Sequence, residues 1–153
     1  MTGREVKVRI ALGCDHRGLA LKQAIMGLLD ELGHDYQDFG GYSSDPVDYP
    51  DIAKQVAEVV ASGEFDHGIL ICSSGIGMSI AANKVKGIRA ALCCNTYGAD
   101  RARRHNDANI LCLGQDALDV DLALNIVKVY LSTTFEGGRH LRRLEKIRGI
   151  EAA

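Results

Sequence analysis

Strand-like apolar runs alternate along this chain with stretches of helical periodicity, and that alternation limits its fold more than any other feature. "VKVRIALG", "HGILIC", "RAALCC" and "NILCLG" are four clear apolar runs, and "HDYQDF" is a weaker fifth. After the first come Ala20, Ala24, Ile25, Leu28, Leu29 and Leu32 at the three- and four-residue spacing of an amphipathic helix. "DIAKQVAEVVASG", "IGMSIAANK", "TYGADRARRH" and "ALDVDLALNIVKVYLSTTF" continue the pattern, each between two strands or after the last. Beyond Gly137 and Gly138, "RHLRRLEKIRG" reads as a short final helix.

Strands alternating with helices predict a parallel sheet covered on both faces. The expected class is α/β: a doubly wound five-stranded parallel sheet, flavodoxin-like (Rossmann-like), a three-layer sandwich with a C-terminal helix. The expected strand order is 2-1-3-4-5. In such a sheet ligands bind beyond the carboxyl ends of the strands, at the switch point between the first and third. With no repeat or linker in view, residues 1–153 read as one domain.

Composition excludes several classes. A formal net charge of -2 gives no reason to expect nucleic acid or an anionic membrane as partner. No signal peptide is visible and no apolar run approaches the length of a membrane span, so the expected location is cytoplasmic. The five cysteines, an odd count without C-x-x-C, read as reduced thiols and not as a zinc site. Cys93, Cys94 and Cys112 are expected in strands as small core residues, with Cys14 and Cys72 facing one crevice, near enough for a disulfide on oxidation.

The chemistry collects at two strand ends. Cys14, Asp15 and His16 follow the first strand; Cys72, Ser73, Ser74, Gly75, Ile76 and Gly77 follow the third. Asp15 taken alone serves equally well as a helix cap. The glycine loop fails the known patterns: Ile80 stands at the third glycine of a dinucleotide fingerprint, no Gly-Lys-Ser/Thr follows, and Met78 stands where a cysteine phosphatase needs Arg. What remains is a row of backbone N–H groups at a helix start, suited to an anion or a developing oxyanion. The same field is expected to ease Cys72 toward thiolate.

A second polar cluster, "RARRHNDAN", places His105 and Asn106 between the fourth helix and the fifth strand. That helix starts at the carboxyl edge of the sheet and runs to the other, so His105 is expected roughly 15–20 Å from Cys72 of its own chain. If both serve one site, His105 comes from a second subunit. Arg139 and Arg143 follow the fifth helix four residues apart, a spacing suited to gripping phosphate and equally that of a solvated basic tail.

Taken together, "GCDHRG", "DYPDIA", "ILICSSGIGMSIAANKVKGIRAAL", "HNDANILCLG" and "EGGRHLRRL" resemble the ribose-5-phosphate isomerase type B family, which includes the galactose-6-phosphate isomerase subunits. The resemblance runs over nearly the whole chain. It implies interconversion of ribose 5-phosphate and ribulose 5-phosphate through a cis-enediolate, with neither cofactor nor metal. It implies Cys72 as the base, since the Glu of other members is replaced by Met78, with Ser74 assisting and Ser73, Gly75, Ile76 and Gly77 binding the enediolate. It implies His105 as the ring-opening group with Asn106 beside it, Asp15, His16 and Tyr49 as sugar and phosphate contacts, and Arg139 and Arg143 as the phosphate clamp. It also implies a homodimer with shared sites, which can pair into a dimer of dimers.

Two residues depart from the family pattern: Ser73 replaces a usual glycine, and Asp116 stands where many isomerases carry a phosphate-binding Arg. An inward-facing acid there would repel phosphate, which leaves open a hexose 6-phosphate such as allose or galactose 6-phosphate. A cysteine hydrolase built on Cys72, His105 and Asn106, and a non-enzymatic sugar-phosphate sensor, are the remaining readings.

Overall fold

A computed structural model describes residues 6–153. The elements in order are β1 (Arg9–Cys14), α1 (Leu19–Leu32), β2 (Asp35–Asp38), α2 (Tyr49–Ala61), β3 (His67–Cys72), α3 (Ile76–Ala82), β4 (Ala90–Leu92), α4 (Thr96–Arg104), β5 (Ile110–Gly114), α5 (Val120–Ser132) and α6 (Arg139–Ala152). The five strands form one all-parallel sheet with helices on both faces. The expected class therefore holds, including the C-terminal helix, although α6 runs 14 residues and is not short.

The strand order is β2-β1-β3-β5-β4, which corrects the expected order of the last two strands. β5 is buried at all five positions and takes an inner place, whereas β4 is three residues long and only half-buried or exposed. Apolar content alone did not separate "RAALCC" from "NILCLG"; length did. Because the chain reaches β4 and then turns back to β5, right-handed crossovers put α3 and α4 on opposite faces. One face carries α1, α4 and α5, with Ile25, Leu29, Ala99, Ile126 and Tyr130 packed on Leu12, Ile69 and Leu111. The other carries α2 and α3, with Val56, Val60 and Met78 packed on Ala11, Leu70 and Cys112.

The outer edge at β4 is closed by a side chain. The Asn83 amide donates to the Ala90 carbonyl at 3.0 Å, and its oxygen accepts the Ala90 N–H at 2.8 Å. This is how a strand edge is denied to another chain. Cys93 and Cys94 lie just past β4, not within it; Cys93 is buried, but Cys94 is exposed and so is not the core residue expected. Cys112 is a core residue of β5.

Beneath β5, Tyr130 donates its hydroxyl proton to the Ala108 carbonyl at 2.9 Å, which leaves its oxygen to accept from Nδ1 of His67 at 3.0 Å. Burial, and then the charge of Arg103, pull the His67 pKa from 6.5 to about 4. A histidine neutral when folded and titrating at 6.5 when unfolded stabilises fully above pH 6.5, and that contribution fades as pH falls toward 4. Chemical denaturation at pH 7 and pH 4.5 is expected to show a loss of up to about 3 kcal/mol from this group. His67→Gln is expected to flatten that slope; a slope unchanged by the substitution would assign the acid sensitivity elsewhere.

Candidate active site

The carboxyl ends of β1 and β3 lie side by side, Cys14 opposite Ile71, so Asp15 and Cys72 emerge together. The Asp15 N–H donates to the Ile71 carbonyl at 3.2 Å, and its carboxylate accepts the Arg17 N–H at 2.9 Å. Asp15 is not the cap of α1: Gly18 takes that position and no side chain caps it. A buried carboxylate beside Cys72 is therefore left to the crevice. His16 is half-buried, and its Nδ1 accepts from the Val47 N–H at 3.4 Å, which ties this turn to the loop before α2.

Tyr49 opens α2. Its ring lies over Gly77, where a methyl group would come within 2.6 Å of ring carbon. The first turn of α3 is thereby brought under Tyr49, and the loop after β3 faces Asp15 and His16.

Cys72 is the last residue of β3, 5% exposed, and accepts a hydrogen bond at Sγ from the Gly75 N–H at 3.1 Å. The loop bends back because Gly75 has φ 78°, a left-handed conformation that a side chain disfavours. The Ile76 N–H donates to Ser74 Oγ at 3.2 Å, with both residues exposed to the crevice mouth. From the other side, Gln115 and Asp116 donate their N–H groups to the Cys72 and Ser73 carbonyls at 2.9 and 3.0 Å. Ser73 thus holds the loop through its main chain, and its hydroxyl has no role that the structure explains. Asp116 is exposed.

Cys14, Cys93 and Cys112 are held as thiols. Burial raises the pKa of Cys14, of Cys93 to about 11, and of Cys112 most of all. Cys14 and Cys72 do not share the expected crevice: they pack in core clusters on opposite faces of the sheet, both are free, and the Cys14 thiol donates to the Gly41 carbonyl at 3.7 Å.

Lys22 supports this crevice and escaped the sequence reading. It is 1% exposed, pairs with Asp38 at 2.8 Å and donates to the Gly41 carbonyl. The only signal was a lysine in register with Ile25 and Leu29 on the apolar face of α1.

The second cluster forms at the opposite edge of the sheet. His105 ends α4 and precedes β5, whose far end, Gly114, pairs with Cys72. Asp107, at φ 46°, fixes the turn by holding Arg103 at 2.9 Å and Arg89 at 3.5 Å. The His105 ring stacks on His140 of α6, with centroids 4.1 Å apart. Arg139 and Arg143, both exposed, lie on the same helix. Asn106 opens into a cavity of about 660 Å³ between β4 and α6, lined also by Leu92, Arg101, Leu144 and Ile147. Within one chain, Cys72, Ser73, Ser74, Gly75, Ile76 and Gly77 meet Asp15, His16 and Tyr49. His105 instead stacks on His140 of α6, the helix that also carries Arg139 and Arg143, at the edge of the sheet opposite Cys72. The within-chain Cys72-His105-Asn106 triad of a hydrolase is not formed. His140 was missed because its contact with His105 spans 35 residues and follows no local spacing.

Comparison with known proteins adds a lineage to this geometry. The family model described as Ribose/Galactose Isomerase matches residues 10–147. Ribose-5-phosphate isomerase B of Escherichia coli is 50% identical over 143 residues, 94% of this chain and 96% of that protein. D-erythrulose-4-phosphate isomerase of Pectobacterium atrosepticum is 42% identical, covering 90% of this chain and 91% of that one. The structure of Clostridium thermocellum ribose-5-phosphate isomerase B superposes with a TM-score of 0.93 at 52% identity, over 94% of this chain and 97% of that one.

Proposed function

The chain belongs to the ribose/galactose isomerase family and is a sugar-phosphate aldose–ketose isomerase; we propose that it interconverts ribose 5-phosphate and ribulose 5-phosphate. Cys72 is the base in this reading. As thiolate it takes the proton from C2 of the open-chain aldose, leaving the cis-enediolate. It then returns the proton to C1, which gives the ketose. The observation that carries this assignment is a buried Sγ at a strand end that accepts the Gly75 N–H and is flanked by Asp15. A hydrogen bond to sulfur supports negative charge there, and main-chain N–H groups along Ser73 to Gly77 are suited to the enediolate oxygens. Ser74 Oγ, at the crevice mouth, assists proton movement between those oxygens.

The furanose must open before C2 is accessible to a base. His105 performs that step, with Asn106 beside it, and comes from a partner subunit because its own Cys72 lies at the other edge of the sheet. Arg139 and Arg143 then grip the phosphate next to His105, while Asp15, His16 and Tyr49 hold the sugar. The apolar cavity at Asn106 and the exposed Leu92, Tyr97 and Ile147 give the second copy a surface to cover. The same arrangement allows further pairing into a dimer of dimers.

A hexose 6-phosphate is the second reading, favoured by Asp116 in place of the usual arginine. The test is turnover in D2O, with ribose 5-phosphate and allose 6-phosphate in parallel and C–D exchange followed by NMR. Faster turnover of the hexose would reverse the choice of substrate.

Subunit mixing tests the shared site. Cys72→Ala and His105→Ala homodimers are each expected to be inactive. In a mixed dimer one site loses both groups and the other keeps both. A random mixture is therefore expected to regain about a quarter of wild-type activity. No recovery from subunits shown to have exchanged would place His105 outside the site.

A further inference from the structure

His140 presents an unresolved polar group: it is only 5% exposed, and its Nε2 has no hydrogen-bond partner. Beside it, Nε2 of His105 lies 3.8 Å from a carboxylate oxygen of Glu136. One ligand atom from each of His105, Glu136 and His140 falls within 4.8 Å of the other two. A tetrahedral zinc site spaces nitrogen and oxygen ligands roughly 3.3 Å apart. Closing the set takes up to about 1.5 Å of approach between ligand atoms and the rotation of one imidazole out of the stack. The main chain already anchors Glu136, whose N–H donates to the Arg104 carbonyl at 3.0 Å.

We propose that His105, Glu136 and His140 form a site for a zinc-type divalent cation, and that filling it withdraws His105 from sugar-ring opening and so inhibits the isomerase. The inhibitory half rests on the proposed ring-opening role of His105; the binding half stands on the cluster alone. Two imidazoles and one carboxylate, with room for a water, form the donor set of an open zinc site, and suit neither magnesium nor calcium. The surroundings sharpen that choice. Arg104, Arg139 and Arg143 stand close by and oppose a cation held by charge alone, so the site favours a metal that gains from imidazole ligation.

The test separates binding from turnover. Chelator-treated protein is titrated with Zn²⁺ by calorimetry and with Co²⁺ by visible absorption, beside Glu136→Gln and His140→Ala. Glu136 is half-exposed, so its substitution leaves the fold intact. Saturable binding of one ion per chain is expected, weakened at least about tenfold in both variants, with no response to Mg²⁺ or Ca²⁺. Ribose 5-phosphate turnover is expected to fall at least tenfold at saturating Zn²⁺, to recover with chelator, and to resist Zn²⁺ in Glu136→Gln. Binding that persists in both variants would assign the metal to thiols and overturn the site. Binding without inhibition would overturn the regulatory role. Absence of turnover in metal-free wild type would instead count against ribose 5-phosphate as the substrate, which the binding measurements do not touch.

Discussion

Cys72→Ala is expected to lower kcat on ribose 5-phosphate by about 10³-fold, within the range that positioned acid–base groups contribute. The KM is expected to change little, because the groups proposed to hold phosphate and sugar lie on other elements. Solvent deuterium is expected to stop entering the carbon skeleton in step with the lost turnover, since the proton that exchanges is the one the thiolate is proposed to carry. The substitution removes one sulfur atom from the edge of the α2–α3 core, so the fold is expected to persist with a modest loss of stability. Undiminished exchange in a folded Cys72→Ala protein would remove the thiolate from the mechanism. Cys14 would not replace it, because it packs on the other face of the sheet, its hydrogen is engaged by the Gly41 carbonyl and burial raises its pKa.

Gly114→Ala is expected to act through the main chain. A Cβ at Gly114 would stand 2.6 Å from both the carbonyl carbon and the oxygen of Ser74. Both atoms belong to the loop that carries Cys72, and neither can rotate aside as a side-chain tip would. The expected result is about 3 kcal/mol of lost stability from overpacking. A loss of about 10² in kcat accompanies it, as the Ser73–Gly75 segment shifts by a fraction of its own width. Gly27→Ala is the control. Gly27 sits within α1 with nothing near its Cα, and alanine there is expected to add about 0.5–1 kcal/mol of stability with turnover unchanged. If Gly114→Ala behaved like Gly27→Ala, the loop would not be clamped by β5.

Much of the fold was legible because burial on both faces leaves a plain mark. β1, β3 and β5 carry apolar residues at nearly every position, and the apolar stripe of α1 repeats at helical spacing. What escaped depends on partners distant in sequence. The exchange of β4 and β5 turns on β4 ending after three residues, which "RAALCC" does not disclose, and the same early end leaves Cys94 exposed. The Cys72 loop stands out in the sequence as a candidate because its residues are contiguous at the end of one strand. Lys22 was visible only as an apparent error on an apolar face, explained once Asp38 and Gly41 came beneath it. His140 meets His105 through a turn that a sequence pattern does not encode. The separation of Cys72 from His105, by contrast, followed from strand direction alone and survived the change in strand order, because α4 still runs from one edge of the sheet to the other.

That separation reaches beyond catalysis. If the working site joins the carboxyl edge of one sheet to the amino edge of another, a subunit can be fully folded and still be silent. Activity then depends on the amount of protein present as well as on its integrity, because association supplies the missing half by mass action. Selection on such a chain falls on two properties at once, and a surface change far from Cys72 can abolish turnover by making its owner solitary.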